Sequence, residues 1–201
     1  NVLEGMEAAF VAFGQTKNGY RAAGDIPAAE GKVEDVSDLI LKVGDEVMVQ
    51  VLKSPIGTKG ARLTMNLSFV GKHLIYLPGT PFLGVSRKIV DEDARAGLLS
   101  LAEKLRFEGD GLIMRTNAPH ADLKTLKTEI KYLRSLYLTA RAEYEEAAVG
   151  DLVYRDADVH VRLLRDFNFS EIDKIYIGSE TVYRHVVSLM KQVGRRNMPV
   201  L

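Results

Sequence analysis

Two β-rich stretches on either side of a basic loop decide the fold: residues 47–53 (VMVQVLK) and residues 61–67 (ARLTMNL). The first stretch is rich in β-branched residues and follows the turn-like Gly44-Asp45. The second alternates small or polar residues with apolar ones, which is typical of a half-buried strand. The two stretches therefore predict neighbouring strands joined by the loop between them.

Two further strand candidates precede this pair. Residues 8–13 (AAFVAF) are apolar and end at Gly14, and Gly19-Tyr20 opens another short segment. Residues 27–37 are polar and predict a loop, and the sequence leaves open whether residues are missing at its junction Glu30-Gly31. Several short strands with glycine turns predict a small barrel or sandwich over residues 1–66.

Strand and helix patterns alternate after residue 66. Residues 74–77 (LIYL) predict a strand closed by a Pro-Gly turn, and residues 112–114 (LIM) predict another. Asp91 predicts the N-cap of a helix that ends at Gly109. A second helix is predicted from apolar residues at steps of three and four, with a basic opposite face: Leu123, Leu126, Ile130, Leu133 and Tyr137 against Lys124, Lys127, Lys131 and Arg134.

The last forty residues predict a helix, a strand and a final helix. Leu163, Leu164 and Phe167 mark the first helix, and residues 174–178 (KIYIG) predict the strand. The final helix has one apolar side, formed by Val182, Val186, Met190 and Val193. Together with the β-rich start, this order predicts an α+β protein with a division near residue 66 and another near residue 160.

Composition excludes several classes of protein. The chain has 201 residues, of which 46% are hydrophobic and 27% charged, so a packed core is expected. It has no cysteine, which excludes a disulfide framework, a thiolate metal site and a cysteine nucleophile within these residues. Its 27 basic and 27 acidic residues cancel, so any affinity for nucleic acid must come from local patches.

The basic loop is the first candidate for chemistry. Residues 53–62 contain Lys53, Lys59 and Arg62 and no acid, and Phe10, Phe13 and Tyr20 are expected on neighbouring strands. Lysines that meet phosphates and rings that stack on bases are typical of the single-strand-binding face of an OB-type barrel. Two alternatives stay open, since both phenylalanines are candidates for the core and a basic hairpin is often only a solvated edge.

A second candidate is Arg115-Thr116 at the end of a buried strand. A guanidinium can hold a phosphate with two hydrogen bonds, and a neighbouring hydroxyl can share the phosphate oxygens. Ser86-Arg87-Lys88 adds two cations, and Gly71 is expected to expose a backbone N–H. These groups together predict a pocket for one phosphate. The alternative is that Arg115 pairs with a nearby carboxylate.

No catalytic centre can be assembled from the sequence. The four histidines are scattered and lack paired metal-ligand spacing, and no nucleophile elbow occurs.

The motifs in their order closely resemble the bacterial ribonuclease E/G family, nearest to its ribonuclease G and Gram-positive end. The resemblance spans nearly the whole chain and rests on residues 7–14 (EAAFVAFG), 44–51 (GDEVMVQV), 57–64 (GTKGARLT), 77–79 (LPG), 84–89 (GVSRKI), 115–116 (RT) and 164–167 (LRDF).

The resemblance implies the RNA-binding half of an endoribonuclease that cleaves single-stranded RNA and senses a five-prime monophosphate. It implies an OB-type RNA-binding domain over residues 1–66, whose first strand is expected before Asn1, a five-prime sensor domain over residues 67–160, and part of a ribonuclease H-like subdomain over residues 161–201. The aspartates that bind catalytic Mg²⁺ are expected outside this segment, so the segment itself is expected to bind no metal and to be inactive. A cytoplasmic homo-oligomer is implied for the full-length enzyme.

The resemblance also implies roles for particular residues. RNA contacts are implied for Phe10, Tyr20, Lys53 and Lys59. A five-prime-phosphate pocket is implied for Gly71, Ile75, Arg87, Arg115 and Thr116. Tyr20 stands where the family usually has Phe, and Lys88 replaces the second member of an arginine pair. Lysine keeps the charge and loses the planar fork, so no role is carried over to Lys88.

Two other classes of function are compatible with the sequence. One is a noncatalytic RNA-binding regulator built on the same domains. The other is a structural or assembly module whose basic loop is merely solvated.

Overall fold

A computed structural model describes residues 2–3, 8–22, 41–166 and 172–193 of the chain. The described residues form nine strands and four α-helices, which confirms the predicted α+β class. The chain divides into two compact units, Asn1–Tyr154 and Arg155–Leu201. The finer division into three domains stays a prediction.

The first sheet of the larger unit has five strands in the order β1-β2-β3-β5-β4. All neighbours are antiparallel except β3 and β5, which are parallel. No pairing joins the β1 edge to the β4 edge within the described ranges, so a closed OB-type barrel stays a prediction. The strands are β1 Val2–Leu3, β2 Ala8–Val11, β3 Gly19–Ala22, β4 Gln50–Lys53 and β5 Arg62–Thr64.

Three strands of this sheet are shorter than predicted, and the one predicted over residues 61–67 spans only Arg62–Thr64. The strand predicted over residues 47–53 begins only at Gln50, because its partner β5 has three residues and offers no further ladder positions. The strand predicted over residues 8–13 ends at Val11, where its partner β3 also runs out. The loop predicted over residues 27–37, with the junction Glu30-Gly31, lies outside the described residues.

The second sheet has four strands in the order β6-β7-β9-β8. Strands β8 and β9 are parallel and the other pairs are antiparallel. The predictions of strands at residues 74–77 and 112–114 are confirmed. The strands are β6 Phe69–Val70, β7 Leu74–Leu77, β8 Leu83–Val85 and β9 Gly111–Met114.

Two capped helices cover one face of the second sheet. Helix α1 spans Glu92–Leu105, and the carboxylate of Asp91 accepts the N–H of Ala94 at 2.7 Å, so the predicted cap is confirmed. The prediction that this helix ends at Gly109 is wrong: it ends at Leu105, and Gly109 has φ +78° in the turn that follows, a conformation that suits glycine. Helix α2 spans Leu123–Glu146 and is preceded by a 3₁₀ helix, Ala118–His120.

The main core lies between this sheet and the two helices. Alternate residues of the strands face the helices, as the two-residue period of a strand requires. The predicted apolar face of α2 is confirmed for Leu126, Ile130 and Leu133, which are buried. The buried side chains of this core include Phe69, Leu74, Tyr76, Leu112, Met114, Leu98, Ala102, Leu105, Leu126, Ile130 and Leu133.

Tyr76 is the polar member of this core. Its hydroxyl donates to the carboxylate of Asp110 at 2.5 Å. Burial, helped by that bond and by the charge of Asp110, holds the pKa of Tyr76 well above its ordinary value. The phenol therefore stays protonated and acts as a structural donor.

The smaller unit contains helices α3 Val159–Asp166 and α4 Glu180–Val193. Val186 and Met190 are buried, which confirms the apolar side predicted for the last helix. The strand predicted over residues 174–178 is wrong: Lys174 makes a single bridge, and residues 175–177 have no regular structure. Ile175 and Ile177 are half-buried and Tyr176 is 88% exposed, so this apolar run is not buried on both sides as a central strand would be. Phe167 lies outside the described residues.

No helix among the described residues is both long and apolar enough to cross a lipid bilayer.

Candidate nucleic-acid interface

Three chain segments converge at one end of the second sheet. Because β8 and β9 are parallel, their carboxyl ends lie side by side, and the Ser86 N–H donates to the carbonyl of Met114 at 2.8 Å. Because β7 runs antiparallel to β9, the turn before β7 reaches the same end, and the Arg115 N–H donates to the carbonyl of His73 at 2.8 Å. We call this cluster the edge site; its members are Gly71, Lys72, His73, Ser86, Arg87, Lys88, Arg115 and Thr116.

Backbone carbonyls orient the Arg115 guanidinium. Its Nη1 donates to the carbonyl of Gly71 and, at 3.4 Å, to that of Lys72. These bonds fix the plane of the guanidinium on the β6–β7 turn. A planar cation that is already oriented loses less conformational entropy when it binds an anion than one that is mobile.

Hydroxyl groups lie beside this arginine. The Oγ atoms of Ser86 and Thr116 are 3.1 Å apart, and the Lys88 N–H donates to the Ser86 Oγ at 3.3 Å. Arg87 and Lys88 are both exposed. The structure thus brings together four of the groups named from the sequence: Ser86, Arg87, Arg115 and Thr116.

Glu129 holds the β6–β7 turn, and sequence reasoning missed it. Its Oε1 accepts the N–H groups of His73 and Leu74 at 2.8 and 3.2 Å, and its Oε2 lies 2.6 Å from the His73 Nδ1. The only sequence signal was an acid interrupting the basic part of α2. Such an isolated acid does not reveal that its partners lie more than fifty residues away.

The backbone N–H of Gly71 is already bonded within the chain. Its N–H donates to the carbonyl of Leu74 at 2.8 Å and the residue is buried, so the expectation of an exposed N–H is wrong. A Cβ at this position would lie 2.0 Å from the Glu129 Oε1. Glycine is needed here because the carboxylate approaches the backbone closely.

Arg95 is a second residue that sequence reasoning missed. From α1, its Nη1 donates to the carbonyls of Ser86 and Ile89 at 3.0 and 2.9 Å. It thereby fixes the loop that carries Arg87 and Lys88. Its position in a helix pattern gave no signal of that role.

Ile75 lies on the sheet face that α1 and α2 do not cover. In register it neighbours Ile113, which in turn neighbours Gly84. Ile75 and Ile113 are half-buried. The face is therefore apolar, partly exposed and continuous with the edge site.

The edge site has an excess of positive charge. Lys72, Arg87, Lys88 and Arg115 bring four positive groups to this edge, where among the described residues the Glu129 carboxylate is bonded to the cluster. Positive groups concentrated at one edge favour an anionic ligand. Within the described ranges, no group of three His, Cys, Asp or Glu side chains could hold a metal ion. The residues of the edge site therefore do not fit a magnesium centre, and no magnesium-dependent step is assigned to them.

The aromatic residues of the first sheet form a pair, of which Phe10 is exposed and Tyr20 is half-buried. Phe10 on β2 lies directly opposite Tyr20 on β3, with ring centroids 5.9 Å apart at an interplanar angle of 62°. Phe10 is 39% exposed, so the alternative that it belongs to the core is wrong. Phe13 lies beyond the end of β2 and is half-buried.

The basic loop turns back next to this pair. Ile56 and Lys59 exchange backbone hydrogen bonds at 3.2 and 3.0 Å, around a tight turn in which Gly57 has φ +57°. The Lys17 ammonium donates to the Gly57 carbonyl at 3.3 Å, which ties the loop to the β2–β3 connection. Lys53 and Lys59 are exposed. Cations and rings therefore share one surface, although the geometry leaves the solvated-edge alternative open.

Comparison with known proteins identifies the family. Residues 68–200 match the Ribonuclease E/G family. The chain belongs to this family. It is 32% identical to ribonuclease G of Haemophilus influenzae over 92% of the chain and 40% of the relative, and 32% identical to ribonuclease G of Escherichia coli K12 over 95% and 41%. Ribonuclease E of Nostoc is 31% identical over 92% of the chain and 27% of the relative.

These figures confirm the family resemblance seen in the motifs. They also show that the chain spans about two fifths of the length of the ribonuclease G relatives it matches.

Proposed function

We propose that this chain binds single-stranded RNA and holds a five-prime monophosphate in the edge site, as part of an endoribonuclease. The observation that carries the proposal is the meeting of Arg115, Thr116 and Arg87 at one end of the second sheet, on two bonded segments of backbone. A terminal monophosphate offers oxygens to a guanidinium and to hydroxyls at once. An ordinary internal phosphodiester has fewer such oxygens and less charge.

Ile75 completes the pocket in this proposal. The half-exposed apolar face beside the edge site suits the first base of the RNA, because a base has an apolar face and a polar rim. The phosphate and the base would then occupy adjacent surfaces. That arrangement would recognise the five-prime end of an RNA rather than its base sequence.

The first sheet supplies the second RNA contact. Phe10 and Tyr20 offer rings on which bases can stack, and Lys53 and Lys59 offer cations for the phosphates between them. This composition is the one proposed for an OB-type binding face. Such a contact is tolerant of sequence, because every base has a ring face.

Competition between two RNAs tests the proposal. The two RNAs share one sequence and differ only in a five-prime monophosphate or hydroxyl, and the salt concentration is fixed. We expect the monophosphate form to bind more tightly, and Thr116→Val to reduce that difference by roughly 1 kcal/mol, the worth of one hydrogen bond. Equal binding of the two ends would remove the five-prime assignment and leave general RNA binding to be judged by itself.

Catalysis belongs to the same proposal. We assign it to a Mg²⁺-dependent centre elsewhere in a cytoplasmic, homo-oligomeric enzyme, so that this chain contributes binding and not hydrolysis. The alternative is a noncatalytic RNA-binding regulator on the same domains. RNA cleavage distinguishes the endoribonuclease from the regulator. It is measured on a protein that joins this chain to the catalytic portion of its own gene, if one follows.

A further inference from the structure

The outer face of α2 carries a row of lysines that the proposed function does not use. Lys124, Lys127 and Lys131 are exposed and lie at steps of three and four residues along the helix. At 1.5 Å and 100° per residue, the three lysines extend along about 10 Å of helix and within about 60° of its circumference. We call these three residues the lysine row.

The position of Lys124 in the lysine row is electrostatically unfavourable for the dipole of helix α2. The positive end of a helix dipole is its N-terminus, so cations there cost stability, typically about 0.3–1 kcal/mol each at the first turn. Lys124 stands in the first turn of α2, while Glu143, Glu145 and Glu146 stand near its C-terminus. The Asp122 carboxylate caps the helix, with its pKa held low mainly by the Thr125 N–H, but it offsets only part of this charge. The helix dipole therefore does not account for Lys124.

Ion pairs within the described part of the chain do not account for the lysines either. None of the salt bridges among the described residues involves a member of the lysine row. Glu129 is bonded to the β6–β7 turn, and Arg134, the other cation predicted for this face, lies 4.0 Å above the Phe107 ring. The ammonium groups of the row are thus available to bind an external anionic partner.

We propose that the lysine row binds the phosphate backbone of a second RNA segment, at a distance from the five-prime end. The proposal rests on the proposed RNA binding but not on the five-prime pocket. The three members of the row carry ammonium groups and no ring, so their contacts are with phosphates rather than bases. Lys127 and Lys131 are about 160° around α2 from Glu129, which faces the edge site, so one short RNA end cannot occupy both places.

The test is the salt dependence of RNA binding by Lys124→Gln/Lys127→Gln/Lys131→Gln. Glutamine matches lysine in helix propensity, and removing cations from this part of α2 does not weaken the helix, so the variant is expected to fold. The control is Lys42→Gln/Lys104→Gln/Lys174→Gln, which removes three exposed lysines elsewhere and gives the same net charge. Both are titrated with a long single-stranded RNA bearing either a monophosphate or a hydroxyl at its five-prime end.

We expect the variant of the row to lose about 2 units of log-log salt slope, from about 0.7 per phosphate contact, equally for both RNA ends. The control should keep the wild-type slope. An unchanged slope in the variant, or an equal loss in the control, overturns the proposal, as does the absence of RNA binding by the wild type. A wild type that binds both RNA ends equally refutes the five-prime pocket alone, since the slope comparison still decides the lysine row.

Discussion

The variant Phe10→Leu tests whether Phe10 stacks on RNA bases or only supplies apolar packing. Leucine keeps most of the apolar bulk at a site that is 39% exposed but removes the aromatic face. The structural loss is the edge contact with Tyr20, about 0.5–1.5 kcal/mol, which is small beside a domain stability of about 5–15 kcal/mol. The variant should therefore stay folded.

The loss in RNA affinity is expected to be larger than the loss in stability. A base stacked on a ring contributes about 1–3 kcal/mol, which corresponds to a five- to 150-fold rise in Kd on the usual scale of about 1.4 kcal/mol per tenfold. Fluorescence anisotropy with a labelled single-stranded RNA measures it. The control is Tyr183→Leu, which removes a ring of the same 39% exposure from α4 instead, and should leave the Kd unchanged.

Two results would refute this reasoning. If Phe10→Leu binds RNA as the wild type does, the ring is not a stacking platform. If circular dichroism shows that the variant is unfolded, Phe10 carries more of the fold than its exposure indicates, and Tyr20→Phe, which keeps a ring, becomes the informative variant.

Three other variants test the edge site. Gly71→Ala should destabilise the protein measurably in urea unfolding, because its Cβ would lie 2.0 Å from the Glu129 carboxylate; an unchanged midpoint would mean that this close approach does not exist in solution. Glu129→Ala should cost about 1–3 kcal/mol for each backbone N–H left without its acceptor, and the same measurement decides. Arg95→Ala should reduce the preference for monophosphate RNA and leave the affinity for hydroxyl RNA unchanged, because Arg95 positions the loop that carries Arg87. Arg95→Lys should restore part of that preference. An equal loss of affinity for both RNAs would show a general effect on binding instead.

The helices and strands that could be predicted from sequence are those with local causes. Asp91 caps α1 by a bond to its own first turn, and the apolar residues of α2 recur at the helical period, so both are visible in the sequence. Residues 174–178 have an equally clear strand pattern, but a strand forms only with a partner, and sequence alternation carries no information about partners.

The candidate site shows the same limit. Arg115 and Thr116 could be named because motif and chemistry coincide in two adjacent residues. Glu129 and Arg95 could not, since each acts on backbone groups of a segment brought close only by the sheet topology. The exposed N–H predicted for Gly71 failed for a related reason: its partner is the carbonyl of Leu74 across a turn whose shape the sequence does not specify.

A thermodynamic cycle on Arg115 and the RNA terminus tests the central claim most directly. Affinities are measured for wild type and Arg115→Ala with monophosphate and hydroxyl RNA at one salt concentration, and the coupling is the difference of the two differences. We predict a coupling of about 1.5–3 kcal/mol, the worth of a hydrogen bond to a charged group, with little change in the affinity for hydroxyl RNA. A coupling near zero, with the preference of the wild type intact in the variant, would contradict the account and assign the terminal phosphate to other residues.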